Sequence, residues 1–309
     1  MVYVLYNPLA DNGLGEKKLS VLRKELKDEE AEFVKITEIS DIGFYLANIP
    51  PSSRVAIAGG DGTLNRFVND IEGYIPNRDI YYYPLGSGND FFNDVKDFAD
   101  EKGFVRINDY IIDLPIIKVN GLTRRFINGI GYGIDGYCCE EGDRKKRKSK
   151  KRINYTIIAV KGLAYDYHAV NAEITVDGVK RNYERVYLAP TMNGRYFGGG
   201  MMIAPFQDRL CPDRSVTSAV AFGYGRLRIL TAFPSIFKGK HVKYKKLFQS
   251  FKGHEITVKF DRPTALQIDG ETVSGVTEYS VLAGRGLKIH SCSGRVLKYL
   301  KPEPSKAER

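Results

Sequence analysis

Apolar residues in the N-terminal third of the chain alternate between two spacings, and that alternation predicts the fold. Val2–Tyr6 is a short apolar run closed by Asn7-Pro8, as a buried strand would be. Leu19, Leu22 and Leu26 then recur at helical spacing, which places them on one face of an amphipathic helix. Glu32–Ile36 reads as a second strand, and Ile42, Tyr45, Leu46 and Ile49 as the apolar face of the next helix. Arg54–Ala58 predicts a third strand that stops at Gly59-Gly60. Leu64, Phe67, Val68 and Ile71 repeat the helical spacing, and Ile80–Tyr83 is a fourth strand ended by Pro84. This alternation predicts a doubly wound α/β domain with a mostly parallel sheet and right-handed crossovers. Ligands of such sheets bind beyond the carboxyl ends of the strands.

From Ile111 onward the texture is short and β-rich: Ile111–Val119, Arg124–Asn128, Ala172–Asp177, Arg185–Thr191, Ser215–Phe222, His254–Phe260, Ala265–Ile268, Glu278–Ala283 and Leu287–His290. Asn120-Gly121, Asp177-Gly178 and Asp269-Gly270 supply turn pairs between them. The pattern predicts a mostly antiparallel β-sandwich interrupted by one helix at about Asn154–Tyr167. The expected domains are residues 1–115, which a segment at about 290–303 could complete, and residues 116–289. The tail, Pro302–Arg309, is expected to be disordered.

Bulk properties narrow the function classes. The chain has 309 residues, 43% hydrophobic and 27% charged, enough for two cores. No run of about 18 apolar residues is present to span a bilayer, and the N-terminus lacks a basic n-region. Cys138, Cys139, Cys211 and Cys292 form neither a CxxC metal pattern nor a disulfide framework. The expected location is the cytoplasm. The net charge of +10 is partly concentrated in RKKRKSKKR, Arg144–Arg152. That run reads as a solvated loop, or as a surface for an anionic membrane or for nucleic acid.

The segment with most chemistry in it is GGDGTLN, Gly59–Asn65. Glycines let a backbone approach a phosphate closely, and the N-terminus of the following helix offers free N–H groups to an anion. Thr63 is expected to cap a helix beginning at Leu64. A carboxylate inside such a turn is costly beside phosphates unless a divalent cation lies between, so Asp61 is a candidate Mg²⁺ contact. No Walker A or dinucleotide GxGxxG-plus-acid pattern accompanies it. Asp269 and Glu271 flank Gly270 at a predicted turn, where two carboxylates can approach one cleft to orient and deprotonate an alcohol.

GGDGTLN, with YNPLADNGLG at Tyr6–Gly15 and PLGSGNDF at Pro84–Phe91, resembles the catalytic domain of the diacylglycerol-kinase and sphingosine-kinase superfamily. FINGIGYGIDG at Phe126–Gly136, NGRYFGGGM at Asn193–Met201 and LQIDGE at Leu266–Glu271 extend the resemblance through most of the chain. It implies ATP contacts from Asn7, Pro8, Thr37, Gly59, Gly60, Asp61, Gly62, Thr63, Leu64, Asn65 and Ser87. It implies a charge network containing Asp90 and Asp113. Relatives often carry an arginine where this chain has Asn93, so the network must be completed by another group, a lysine being one choice. Asp269 and Glu271 become the catalytic pair, with Glu271 the favoured proton acceptor. A second Mg²⁺ is implied at Leu210, Asp213 and Ser215, although Arg214 replaces the usual glycine there.

Phe197, Met201, Met202, Phe233 and Phe237 are candidates for lining a lipid cleft. The leading expectation is an ATP- and Mg²⁺-dependent kinase of a membrane lipid, diacylglycerol-like in class. Such an enzyme would work peripherally at the inner membrane surface, without a nucleic-acid partner; pairing of exposed β-edges into a homodimer is the oligomer open to it. The alternatives are an NAD kinase and a non-catalytic lipid- or nucleic-acid-binding protein.

Overall fold

The computed structural model describes residues 1–71, 78–148 and 153–286. The first layer runs β1 (Val2–Tyr6), α1 (Ala10–Gly13), α2 (Gly15–Glu25), β2 (Ala31–Lys35), α3 (Ile42–Asn48), β3 (Arg54–Gly59), α4 (Asp61–Asp70), β4 (Ile80–Pro84), α5 (Asp90–Val95) and β5 (Val105–Arg106). The strands order as β2-β1-β3-β4-β5, all parallel except β5. Alternate residues of each strand point to opposite faces. Val4, Ala56 and Ala58 therefore pack with Leu19, Leu22 and Leu26 on one side. Leu5, Val55 and Ile57 pack with Leu46, Leu64 and Phe67 on the other. Both faces are covered, as the helical spacings predict. Tyr6 lies beside Ala58, and Gly59 beside Pro84, so the carboxyl ends of β1, β3 and β4 form one edge.

The chain continues through α6 (Asn108–Ile111), β6 (Ile116–Val119), β7 (Leu122–Arg125), β8 (Gly129–Tyr132), α7 (Ile134–Lys148), α8 (Tyr155–Lys161), β9 (Val170–Val176), β10 (Val179–Val186) and β11 (Thr191–Met192). It ends with β12 (Val216–Ala221), α9 (Arg226–Ala232), β13 (Phe248–Gly253), β14 (Glu255–Ile268) and β15 (Glu271–Leu282). All pairings in this second sheet are antiparallel. β14 pairs with β9 through Ile256–Phe260 and with β8 through Leu266–Ile268, its register against β15 shifting between these stretches. Such irregularities bend a sheet, and the bend folds it around a core that includes Phe126, Tyr132, Phe260 and Tyr279. The rings of Tyr132 and Phe260 stack at 3.7 Å. Asn120-Gly121, Asp177-Gly178 and Asp269-Gly270 all have positive φ at both positions, the geometry expected of two-residue hairpin turns.

Several elements depart from the sequence pattern. His254–Phe260 and Ala265–Ile268 belong to one bent strand. The helix expected at about 154–167 is α8 continued by a wide helical turn, Gly162–Asp166, and α7 and α9 join it. Residues 144–148 of the basic run form the last turn of α7 rather than a loop. Arg144 pairs with Glu141 at 2.5 Å and Lys146 with Asp143 at 3.5 Å, and cations suit a helix C-terminus. The rest of that run, the strand expected at 287–290, the segment 290–303 and the tail lie outside the described residues.

Candidate active site

The GGDGTLN turn leaves β3 directly into α4, whose N-cap is Gly60. The helix thus begins at Asp61, not Leu64, and Thr63 lies inside its first turn. Its hydroxyl accepts a 2.8 Å hydrogen bond from Asn7 Nδ2, which ties the turn to the end of β1 instead of capping the helix. A methyl group on Gly86 would lie 2.6 Å from the Gly60 Cα, so only glycines let the loops after β3 and β4 touch. The Thr63 and Leu64 N–H groups both donate to Gly60 O, and those of Asp61 and Gly62 carry no such main-chain bond. Leu64 is in the core and Asn65 is turned toward the second sheet, so neither presents its side chain beside the loop. Ser87 is exposed at the cavity described below, and Thr37 is exposed after β2.

A cavity of about 250 Å³ opens from this edge between the two sheets. Its polar end holds Asp61, Asp90, Asp135 and Ser87. Asp61 accepts the N–H groups of Asp90 (3.0 Å) and Phe91 (2.8 Å), and Asn128 Nδ2 at 2.9 Å. Asp90 accepts the N–H groups of Gly199 and Gly200 from the Gly-rich hairpin. A methyl on Gly88 would lie 3.6 Å from Asp61 Oδ2 and 3.9 Å from Asp90 Oδ2, so the two carboxylates flank one small gap. Burial, then the Asp61 charge, push the Asp90 carboxyl up to about 7 despite its two N–H donors. Asp135 receives a single side-chain bond, from Gln267 Nε2 at 2.7 Å, and burial pushes it to about 6. The other end of the cavity is apolar, lined by Ile134, Ala159, Leu188, Phe197, Met201, Phe233 and Phe237 among others. Four of the five candidates for a lipid cleft are thus on its wall. Met202 instead packs near Gly239.

The Asp269–Glu271 turn is placed differently from expectation. Asp269 is on the cavity wall, yet its carboxylate accepts from Asn65 Nδ2 and from the N–H groups of Ile127, Asn128 and Gly129, at 2.6–2.9 Å. Four donors use the capacity of a carboxylate, so Asp269 has no free oxygen lone pair with which to take a proton. Burial nevertheless raises its carboxyl above the ordinary range against those donors. Glu271 does not line the cavity; its half-exposed carboxylate pairs with Arg124.

The remaining assignments also change. Asp113 is not part of the acidic end: its carboxylate accepts the N–H groups of Arg285 and Gly286. Among the described residues, the arginines near Asn93 pair with Asp94 and with neither Asp90 nor Asp113. Arg195 and Arg209 both pair with Asp94, one turn into α5, and Arg209 also donates to Asn128 Oδ1 at 2.6 Å. Burial raises the Asp94 carboxyl, but the two guanidinium groups outweigh it and hold it below the usual range. Of the groups expected at a second Mg²⁺, Asp213 and Ser215 are engaged in hydrogen bonds within the protein. Asp213 Oδ1 accepts from the Ser215 N–H and hydroxyl, while Ser215 O accepts from Gln207. Arg214 adopts the left-handed φ of 55° that a glycine would take, and its guanidinium bonds Arg209 O. No group of three or more His, Cys, Asp or Glu side chains among the described residues is placed to hold a metal ion.

Sequence reasoning gave no role to Asp135, Asp94 or Arg209. Asp135 sits inside FINGIGYGIDG, where an acid amid apolar and glycine residues was the available signal. Arg209 had none, since its partner lies 115 positions away.

The two halves of this site match known sequence families in the same order. The Diacylglycerol kinase catalytic domain matches residues 1–107, and the YegS C-terminal NAD kinase beta sandwich-like domain matches residues 128–289. The chain belongs to the diacylglycerol-kinase-like family of lipid kinases. It is similar to a protein named diacylglycerol kinase from Mycobacterium tuberculosis (strain CDC 1551 / Oshkosh), 26% identical over 78% of this chain and 80% of that one. It is similar also to the protein YtlR from Bacillus subtilis (strain 168), 24% identical over 90% of this chain and 94% of that one. A crystal structure of a diacylglycerol kinase from Bacillus anthracis str. Sterne aligns with a TM-score of 0.58 at 18% identity, covering 92% of this chain and 94% of that one. The last supports the fold alone.

Proposed function

We propose that the protein transfers the γ-phosphoryl group of ATP to the hydroxyl of a diacylglycerol-like membrane lipid. One observation carries this reading: a single cavity has carboxylates and a glycine-built helix N-terminus at one end and apolar side chains at the other. The N–H groups at the start of α4 suit phosphate oxygens, and the apolar end suits acyl chains. Asp61 and Asp90 are the residues that would hold a divalent cation, since two carboxylates flanking one gap repel each other without it. Bound there, Mg²⁺ would neutralise phosphate charge. Asp135, at the polar end with one hydrogen-bond donor and next in sequence to Ile134 of the apolar lining, would accept the hydrogen bond of the lipid hydroxyl and orient it.

No helix among the described residues is long and apolar enough to cross a membrane. The basic end of α7 would draw the protein to an anionic leaflet, with about 1 kcal/mol available per basic residue close to the surface. Liposome binding should then weaken with salt, and neutralising Arg144 through Lys148 should remove that dependence.

The test is radiolabelled ATP with Mg²⁺ and a panel of lipids, beside NAD. Label in an organic-soluble product is expected. Label in NADP alone, or in no acceptor, overturns the proposal.

A further inference from the structure

Arg124 lies outside the cavity, yet its guanidinium supports the turn that carries Asp269 and Glu271. Both of its terminal nitrogens engage the Glu271 carboxylate, Nη2 at 3.1 Å. The same Nη2 donates to Asn65 Oδ1 at 2.6 Å. That bond decides which way the Asn65 amide faces. With its oxygen committed to a cation, the Nδ2 group is left to donate to Asp269 Oδ2 at 2.6 Å and Arg125 O at 3.2 Å. A flipped amide would set an N–H group against the guanidinium and a carbonyl against a carboxylate.

The consequence reaches the cavity. Asp269 Oδ1 accepts the Asn128 N–H at 2.8 Å, and Asn128 Nδ2 donates to Asp61 Oδ1 at 2.9 Å. A continuous path of hydrogen bonds therefore runs from Glu271 through Arg124, Asn65, Asp269 and Asn128 to Asp61. The Arg124 side chain is 19% exposed against 54% for Glu271, so the guanidinium is the partly desolvated member and the carboxylate its anchor. Asn65 itself is fully buried, which leaves its amide no water to bond instead.

We infer that Arg124 is a positioning residue for phosphoryl transfer: it orients the Asn65 amide and through it holds Asp269, Asn128 and Asp61 in one arrangement. It contacts neither the phosphates nor the acceptor. Preorganised walls of this kind matter because misplacement of about 1 Å can cost on the order of a hundredfold in rate. The kinetic part of the inference rests on the lipid-kinase reading; the structural part does not.

The experiment compares the full-length protein with R124A and R124K. It measures kcat and KM with the best lipid of the panel, melting temperature, and the Asn65 side-chain amide signals in a ¹H–¹⁵N spectrum. R124A is expected to lose tenfold or more in kcat below its melting temperature, with KM for ATP within twofold. Its Asn65 amide signals should shift, and R124K should fall between the two proteins in kcat. Unchanged kcat in R124A, a loss matched by its unfolded fraction, or unmoved Asn65 signals would each overturn the inference. If the wild-type protein phosphorylates no lipid, the lipid-kinase reading fails, and the Asn65 signals alone decide the role of Arg124.

Discussion

Asp90 and Gly200 are joined by a 2.7 Å hydrogen bond from a main-chain N–H to a buried carboxylate. One belongs to the helix after β4 and the other to the Gly-rich hairpin between β11 and β12, so the acidic end of the cavity is built by both sheets together. Gly199 supplies the neighbouring bond, and both glycines have positive φ. Asp90 is therefore held by main-chain N–H groups, and burial raises both its carboxyl and that of Asp135, which makes these two sensitive to pH.

Asp135 gives the cleanest view of that sensitivity. Its folded value of about 6 lies above the unfolded value of about 3.9. Between those limits the folded chain binds more protons than the unfolded one, so its contribution is full below about pH 4 and lost as pH rises through about 6. Asp135→Asn keeps an oxygen for the Gln267 donor and removes the ionisation. Denaturant unfolding at a series of pH values should show the variant gaining on wild type by about 2–3 kcal/mol between pH 4 and 8. The same variant should lose lipid phosphorylation if Asp135 holds the acceptor hydroxyl.

Asp269→Asn should behave in the opposite way. Its carboxylate accepts four N–H donors, and an amide group would turn two of its own N–H bonds toward them. Each buried group left unmatched costs about 1–3 kcal/mol. A melting-temperature drop of several degrees is expected. A stable, inactive variant would instead favour a direct chemical role for Asp269.

Arg209→Met tests the ion pairs at Asp94. Both side chains are almost fully buried, at 4% and 3% exposure, and removing one partner of such a pair costs about 3–5 kcal/mol. Arg195 remains in the variant and offsets part of this. The double variant Arg209→Met, Asp94→Leu should recover stability relative to the single one, measured by urea unfolding. No recovery would show that Arg209 matters through its hydrogen bonds to Ile127 O and Asn128 Oδ1 rather than through Asp94.

These residues also show why the fold was more legible than the site. Leu64, Phe67 and Val68 announce α4 because their spacing depends only on their own segment, and Gly59-Gly60 marks the end of β3 in the same local way. Asn65, in the middle of that motif, reads as a phosphate contact; its partner Asp269 lies 204 positions away. The pairing of Asp94 with Arg209 is hidden for the same reason. α7 carries no clear apolar period, because the face it turns to the cavity is Ile134, Asp135, Cys138 and Cys139. Glycine, acid and thiol dilute the apolar period there.

The apolar end of the cavity can be closed from one position. Ala159 lies on α8, is buried, and lines the cavity together with Phe197 and Phe233, with which it shares one core cluster. Replacing it by Phe adds a ring to a cavity of about 250 Å³, and a well-packed wall has no other room for the added volume. The acidic end draws its groups from α4, α5 and the start of α7, not from α8. Ala159→Phe should therefore raise KM for the lipid tenfold or more while leaving ATP affinity, by isothermal titration, within twofold. Equal loss of both would mean that the two ends do not hold separate substrates, and the assignment of acyl chains to the apolar end would fall.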